Sequence, residues 1–385
     1  MQTEKIDTFY KYVAGREGFI PKLSKIGDRS WKRKTQKVQE HIDEFAQDLF
    51  HLYLERERIP GFAFEKDSVR QKEFEALFPY QETDDQLEAI KEIKHDMEQP
   101  FVMERILCGD VGFGKTEVAF RAAFKAMESG KQVVMLAPTT ILARQHYENA
   151  LARFEGFGYN IKMLSRLVSP KEQESVLFGA ELGEVNFIIG THRLLSDDVK
   201  YDELGLVVID EEHRFGVKAK EKLKQFKKNV DVLLISATPI PRTLQMAVTG
   251  IREMSLLQTA PHNRYPVQTY VLEQNDHIVQ DAIERELARN GQTYYLYNKV
   301  QTITQMTEKL QHMFPYATIG FAHGQMPKKQ LEDIITKFID KEIDVLVSTT
   351  IIENGMDIPN ANTLIVHDAD MLGLAQLYQF RGRVG

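Results

Sequence analysis

From about residue 80 onward, short apolar runs rich in β-branched residues alternate with stretches whose apolar residues step by three and four. The runs Arg105–Cys108, Gln132–Leu136, Asn160–Leu164, Val185–Ile189, Leu206–Ile209 and Val232–Ile235 predict buried strands, since a strand covered on both faces needs no polar alternation. Helical stretches such as Thr116–Glu128 and Ile141–Phe154 fall between them. After Pro261, Asn263 and Pro266 the alternation restarts with Val267–Leu272, Thr293–Tyr297, Thr318–Phe321, Asp344–Val347 and Thr363–Val366. Helices are expected near 277–289, 302–313 and 327–339. This pattern predicts an α/β fold of two tandem units, residues 61–260 and 261–385, each a parallel sheet with helices on both faces.

The first sixty residues follow a different rule. Between Arg29 and Arg58, the apolar positions Val38, Ile42, Phe45, Leu49 and Leu52 describe one face of a long helix, stopped by Pro60-Gly61. Its start carries Lys32, Arg33, Lys34 and Lys37. Such a run fits a solvated helix face or a contact with phosphates or an acidic partner, the former being commoner. Residues 1–28, punctuated by Gly15, Gly18, Pro21 and Gly27, are expected to be the end of a domain that begins upstream.

Composition narrows the class without choosing a function. At 43% hydrophobic and 27% charged residues the chain is an ordinary globular protein. No run approaches the roughly 18 apolar residues of a membrane helix. No signal-peptide layout opens the sequence, so a cytoplasmic setting without membrane contact is expected. The single cysteine, Cys108, excludes an intrachain disulfide, and its apolar surroundings suit a buried small hydrophobe better than a nucleophile. A net charge of -7 neither advertises nor excludes nucleic-acid binding, which depends on local patches. His192, His213, His323 and His367 lack metal-ligand spacing. The run Tyr294-Tyr295-Leu296-Tyr297 reads as a buried strand before a base-stacking platform.

Chemistry enters at Gly109-Asp110-Val111-Gly112-Phe113-Gly114-Lys115-Thr116, which satisfies G-x-x-x-x-G-K-[ST] between a strand and a helix. The glycines let backbone N–H groups converge on phosphate oxygens, and the helix N-terminus adds its positive end. Lys115 can reach the β- and γ-phosphates, and the Thr116 hydroxyl can ligate Mg²⁺. The strand Leu206–Ile209 then runs into Asp210-Glu211-Glu212-His213. Carboxylates at the carboxyl end of a strand lie where open α/β sheets bind ligands. Asp210 is expected to hold Mg²⁺ and Glu211 to orient or deprotonate the attacking water, with a nucleoside triphosphate as substrate; the loop by itself does not choose among kinase, GTPase and motor.

With these motifs in order, the chain resembles the superfamily 2 helicases. That resemblance implies two tandem RecA-like P-loop domains. It implies that Gln86, in Glu82-Thr83-Asp84-Asp85-Gln86, reads adenine and that Phe78 stacks on the base. Pro138-Thr139-Thr140-Ile141-Leu142 and Gly190-Thr191-His192-Arg193 match segments that contact the DNA backbone. Ser236-Ala237-Thr238 matches the segment coupling hydrolysis to DNA movement. Ser348–Asp357, with Thr349, Thr350, Gly355 and Asp357, and Gln379–Gly385, with Gln379 and Arg383, match motifs facing the nucleotide from the second domain. His213 is expected in the network between nucleotide and second domain.

Asp210–Val217 followed by Ala237-Thr238-Pro239-Ile240-Pro241-Arg242-Thr243 is similar to the group holding RecG and the transcription-repair coupling factors. Phe113, Lys115-Thr116-Glu117-Val118-Ala119, Glu212 and the Lys22–Trp31 approach to the long helix favour the coupling factors. That family implies a double-stranded DNA translocase. It uses ATP to displace stalled RNA polymerase, engages the polymerase β subunit through an upstream domain, and recruits excision-repair proteins. The helix over 29–60 would be its relay helix. RecG-like fork remodelling is the nearest alternative, and a nucleotide-gated interaction module a second one. A P-loop kinase explains neither the second α/β unit nor Gln379 and Arg383.

Two departures stand out. Asn354 replaces the threonine usual before Gly355, and the last motif runs Gln379-Phe380-Arg381-Gly382-Arg383-Val384-Gly385 without the family's final arginine. An arginine finger contributes ~10³–10⁵ in rate. This 385-residue sequence is therefore expected to bind ATP–Mg²⁺ but to hydrolyse it slowly without productive translocation, and, holding only the tail of the polymerase-binding domain in residues 1–28, to bind polymerase weakly. DNA-stimulated ATPase of this sequence beside one extended past Gly385 tests this, and equal rates would contradict it.

Overall fold

The computed structural model describes residues 60–385 apart from 167, 217–218, 221, 224–228, 238–252, 262–266, 351–357, 359, 383 and 385. The expected helix over 29–60 and the segment 1–28 lie outside the described residues, save Pro60. Residues Arg56–Gly385 belong to one compact unit.

The first sheet comprises β1 (Glu104–Gly109), β2 (Gln132–Leu136), β3 (Ile161–Leu164), β4 (Phe187–Gly190), β5 (Leu204–Asp210), β6 (Asp231–Ser236) and β7 (Glu253–Leu257). Their order is β3-β4-β2-β5-β6-β1-β7, and every pairing is parallel. The associated helices are α1 (Val69–Ala76), α2 (Asp84–Met97), α3 (Lys115–Glu128), α4 (Thr140–Arg153) and α5 (Pro170–Glu181). The second sheet holds β8 (Gln292–Leu296), β9 (Ile319–Ala322), β10 (Val345–Ser348) and β11 (Ala361–Val366) in the parallel order β11-β8-β10-β9. With it go α6 (Asp276–Ala288), α7 (Ile303–Met313), α8 (Lys328–Ile339) and α9 (Leu374–Arg381).

Alternate residues of each strand enter different cores, which is why the strands carry no polar alternation. On one face of the first sheet Leu107, Val133, Met135, Leu206 and Val208 meet Ile90, Ile93 and Met97 of α2, Phe120 and Phe124 of α3, and Ala150 of α4. On the other face Ile106, Cys108, Val134, Leu136, Val207 and Ile209 meet Val176 and Ala180 of α5. The second sheet repeats the scheme. Tyr294, Leu296 and Leu346 pack with Phe338 and Phe380, while Tyr295, Tyr297, Val345 and Val347 pack with Ile283 and Leu310. The tyrosine run is therefore a core strand, all three rings being buried.

The helix ends follow local chemistry. Thr83 and Gln86 form a reciprocal capping box at the start of α2, and Ser169 and Glu172 form one at α5. The Thr139 oxygen accepts the Leu142 amide at 3.2 Å and caps α4.

Two strand assignments differ from the sequence pattern. Val267–Leu272 is unpaired, and Tyr270, Val271 and Leu272 are exposed, Val271 to 92%. β-Propensity reflects packing against neighbouring strands, and among the described residues this run has none beside it. Conversely Glu253-Met254-Ser255-Leu256-Leu257, with no β-branched residue, forms edge strand β7 because β1 offers it a parallel partner. Arg105 of β1 reinforces that edge. Its guanidinium donates to Asp96 Oδ2 at 2.6 Å, Glu92 Oε2 at 3.0 Å and Ser255 Oγ at 3.0 Å, and pairs with Glu253.

Asp231 opens β6 as a buried acid. Its Oδ1 accepts the Met103 amide at 2.8 Å, while Oδ2 is buried with no hydrogen-bond partner. Burial, reinforced by the charge of Asp96 and opposed by the Met103 amide, pushes its carboxyl up to about 8 from 3.8. A carboxyl raised on folding holds its proton more tightly in the native state. Its contribution to stability is thus present below the unfolded value and lost as pH climbs towards 8. In paired denaturation titrations, Asp231→Asn is expected to gain on the parent between about pH 4 and 8, by up to ~1.4 kcal/mol per pH unit. A pH-independent difference would contradict this.

Candidate functional site

The register of β5, β6 and β1 assembles the site. Cys108 lies opposite Ser236, and Asp210 lies opposite Ile235. The residues leaving the three strands, Gly109–Thr116, Asp210–Glu211 and Ser236–Ala237, therefore emerge side by side on one carboxyl edge, about 5 Å per strand. Pro138 after β2 and Thr191 after β4 emerge on the same edge.

The phosphate loop turns at Gly112 (φ 79°) and Gly114 (φ 77°), both left-handed. Gly114 is the N-cap of α3, so Lys115 and Thr116 occupy its first turn. Lys115 Nζ donates to the carbonyls of Gly109 and Asp110, both at 2.7 Å, and Asp110 Oδ1 accepts the Val111 amide at 2.8 Å. A Cβ on Gly114 would lie 2.4 Å from Gln86 Nε2, so the loop and α2 are fitted to one another there.

Gln86 is buried. Its Nε2 donates to the Phe113 carbonyl at 2.9 Å, and its Oε1 accepts the Thr83 amide at 3.0 Å. The structure thus brings the predicted adenine-reading glutamine onto the phosphate loop itself, with each end of its amide already engaged. Beside it Asp85 Oδ2 accepts the amides of Gln258 and Thr259, at 2.5 and 2.7 Å. Burial raises the Asp85 carboxyl, but the Thr83 hydroxyl and these amides outweigh it and hold it below its ordinary value. Phe78 lies under the guanidinium groups of Arg121 and Arg153, 5.3 and 5.7 Å from its ring centre. Glu117 accepts from both arginines, fixing the pair above the ring.

Asp210 and Glu211 are both buried, each 8% exposed. Glu211 adopts φ 51°, ψ 55°, a left-handed conformation rare for a side chain of this size. Hydrogen bonds to β6 and beyond hold it there: its amide donates to Ile235 O at 2.9 Å, and its Oε1 accepts the Ala237 amide at 3.0 Å. The acid is thereby tied to the segment that the sequence links with coupling. Asp210 Oδ2 lies 2.9 Å from Nε2 of His146, a buried residue of α4 that belongs to none of the motifs predicted to form the site. It stands on the buried stripe Leu142, Ala143, His146, Ala150 of that helix. A histidine interrupting an apolar stripe was the available signal. Cys108, on β1 opposite Ser236, is buried, and burial, opposed by the charge of Lys115 and reinforced by that of Glu211, pushes its thiol up to about 11.

The hard oxygens of Thr116 and Asp210 suit Mg²⁺. Among the described residues no group of three or more His, Cys, Asp and Glu could cage a metal. The donor set matches an ion held by one carboxylate, one hydroxyl and the phosphates of its substrate.

The remaining predicted residues scatter. Thr139 caps α4, and the Thr140 hydroxyl donates at 2.6 Å to Glu332 of α8, which also pairs with Arg166. Thr191 and Thr349 are buried, His192 is exposed, and Ser236 and Thr350 are half-buried. Gln379 lies in α9. Thr238, Gly355, Asp357 and Arg383 lie outside the described residues, as does the His213 side chain.

The DEAD/DEAH box helicase family model matches residues 83–247, and the helicase conserved C-terminal domain matches 274–385. RecG bound to a three-way DNA junction superposes with a TM-score of 0.76 at 35% identity, over 88% of this chain and 47% of that one. The Mycobacterium smegmatis helicase Lhr bound to single-stranded DNA and AMP-PNP gives 0.61 at 18% identity, over 82% and 46%, a likeness of fold. Two tandem RecA-like sheets, the first bearing a phosphate loop beside an Asp-Glu pair, define a superfamily 2 ATPase of the helicase type. The transcription-repair-coupling factor of Bacillus subtilis (strain 168) is 56% identical over 382 residues, 99% of this chain and 32% of that protein. That of Staphylococcus aureus (strain USA300) is 53% identical, over 99% and 33%. The chain belongs to the transcription-repair-coupling factor family, and spans about a third of the length of those curated relatives.

Gly130, at φ 75° with nothing within 4 Å of an added Cβ, gives a reference for Gly114. Gly130→Ala should cost about 1 kcal/mol of backbone strain. Gly114→Ala should cost more, and a double-mutant cycle with Gln86→Ala should return a coupling of ~0.5–3 kcal/mol. Additive losses in chemical denaturation would show that Gln86 and the loop are independent.

Proposed function

We propose that this chain is the ATP-driven motor core of a double-stranded DNA translocase of the transcription-repair coupling type, working with ATP and Mg²⁺. The observation that carries the proposal is the Glu211 carboxylate, held by the Ala237 amide beside the phosphate loop. A water-activating acid is thereby bonded to the segment that would report hydrolysis to the DNA track.

In this reading the amides of Gly109–Thr116 and the Lys115 ammonium bind the phosphates. Lys115 exchanges the Gly109 and Asp110 carbonyls for phosphate oxygens. Thr116 and Asp210 would hold Mg²⁺, which supplies charge neutralisation on the phosphates when bound. Glu211 orients and deprotonates the attacking water. Phe78 and Gln86 border the base, and Gly355, Asp357, Gln379 and Arg383 act on the nucleotide from the second domain. The backbone of duplex DNA would be tracked by Thr139, Thr140, Thr191, His192, Ser236, Thr238, Thr349 and Thr350. Phosphate contacts suit that task because they position without reading sequence. RecG, solved on a DNA junction, supports DNA as the track. Identity of 56% to a coupling factor against 35% to RecG favours displacement of stalled RNA polymerase over fork remodelling. Contact with the polymerase β subunit and with excision-repair proteins would belong to the rest of the whole protein, in the bacterial cytoplasm. Among the described residues no helix is long and apolar enough to cross a membrane.

Introduced into the sequence extended past Gly385, Lys115→Ala and Glu211→Gln separate a motor from a nucleotide-gated module. Lys115→Ala should abolish nucleotide binding. Glu211→Gln should retain binding but lower duplex-stimulated ATP turnover ~10²–10⁴-fold, and neither variant should displace a triplex-forming strand from duplex DNA. Parental turnover by Glu211→Gln, or a parent indifferent to DNA, would refute the motor.

A further inference from the structure

His146 is 6% exposed, on a helix face otherwise given to Leu142, Ala143 and Ala150. A buried imidazole without a partner costs the desolvation of its polar atoms, and the partner described for this one is the Asp210 carboxylate, at 2.9 Å. Asp210 has backbone neighbours fixed by the β5–β6 ladder, but a ladder does not set a side-chain rotamer. The contact falls on Oδ2. It therefore engages one oxygen of the carboxylate and leaves Oδ1 for a cation.

We infer that His146 is the positioning residue of the metal site: its Nε2–H donates to Oδ2 and holds the Asp210 carboxylate in the orientation that binds Mg²⁺. The inference rests on Asp210 being the metal carboxylate of the function proposed above. Groups that hydrogen-bond a metal-binding carboxylate orient it, and losing one typically weakens metal affinity ~10–100-fold. A merely structural pair, joining α4 to β5, would instead affect folding stability and leave the metal untouched. α4 gives the histidine a rigid mount, since its N-terminal turn is capped by Thr139 and its next residue is bonded to Glu332. His146 stands six residues along the helix from Thr140, about 9 Å by helical rise.

The test measures binding of a fluorescent ADP analogue to the full chain, in EDTA and across a Mg²⁺ titration, for the parent, His146→Leu, His146→Gln and His146→Asn. Glutamine can present an amide donor at about the reach of Nε2; asparagine falls short. In the leucine and asparagine variants the Mg²⁺ needed for half-saturation should rise ~10–100-fold, with affinity in EDTA unchanged. The glutamine variant should stay near the parent. Should leucine prevent folding, the glutamine–asparagine pair carries the same comparison. Equal Mg²⁺ dependence in all variants, or glutamine failing as badly as asparagine, overturns the role of His146 alone. A parent whose nucleotide affinity ignores Mg²⁺ overturns the assignment of Asp210 itself.

Discussion

Parallel pairing of β5, β6 and β1 is the constraint on which the rest depends. These strands are buried on both faces, so alternate residues of each are committed to two separate cores. A one-residue slip in register would exchange the cores along an entire strand. It would also displace one carboxyl-terminal segment against its neighbours, separating Asp210 from Ser236 and both from the phosphate loop. Packing on the two faces therefore fixes, through register alone, the relative height of three chemically active segments.

Side-chain bonds then refine what the ladder positions. The left-handed Glu211 is held by Ile235 and Ala237, so β6 serves as the ruler for the acid of β5. Gln86 joins the start of α2 to the phosphate loop, and Asp85 beside it gathers the residues that follow β7. Arg105 binds α2 to the β1–β7 edge with three acids around one buried guanidinium. The loop is thus braced from the strand below it and the helix beside it. α4 is a further brace: it meets Glu332 at its first turn and Asp210 two turns later.

Much of this was legible in the sequence because the signals are local. Continuous apolar runs marked ten of the strands named above to within a residue or two, and G-x-x-x-x-G-K-[ST] marked a loop in which Gly112 and Gly114 do adopt positive φ. Where the signal was not local, the pattern misled or fell silent. Val267–Leu272 has strand-like residues and, among the described residues, no strand beside it, whereas Glu253–Leu257 lacks β-branched residues but has a ready partner in β1. His146 gave no motif, because its meaning lies in a contact with Asp210, 64 positions away.

The sequence by itself determined the two α/β units, the phosphate loop, the Asp210–Glu211 pair and the family, since each depends on residue type at short spacing. Only the tertiary structure decided what those groups touch. It gave Gln86 to the loop carbonyl, Glu211 to the amide of Ala237 and Asp210 to a buried histidine. The reason is physical: a buried polar atom must find a partner, and which atom lies within 3 Å is set by packing between elements far apart in the chain.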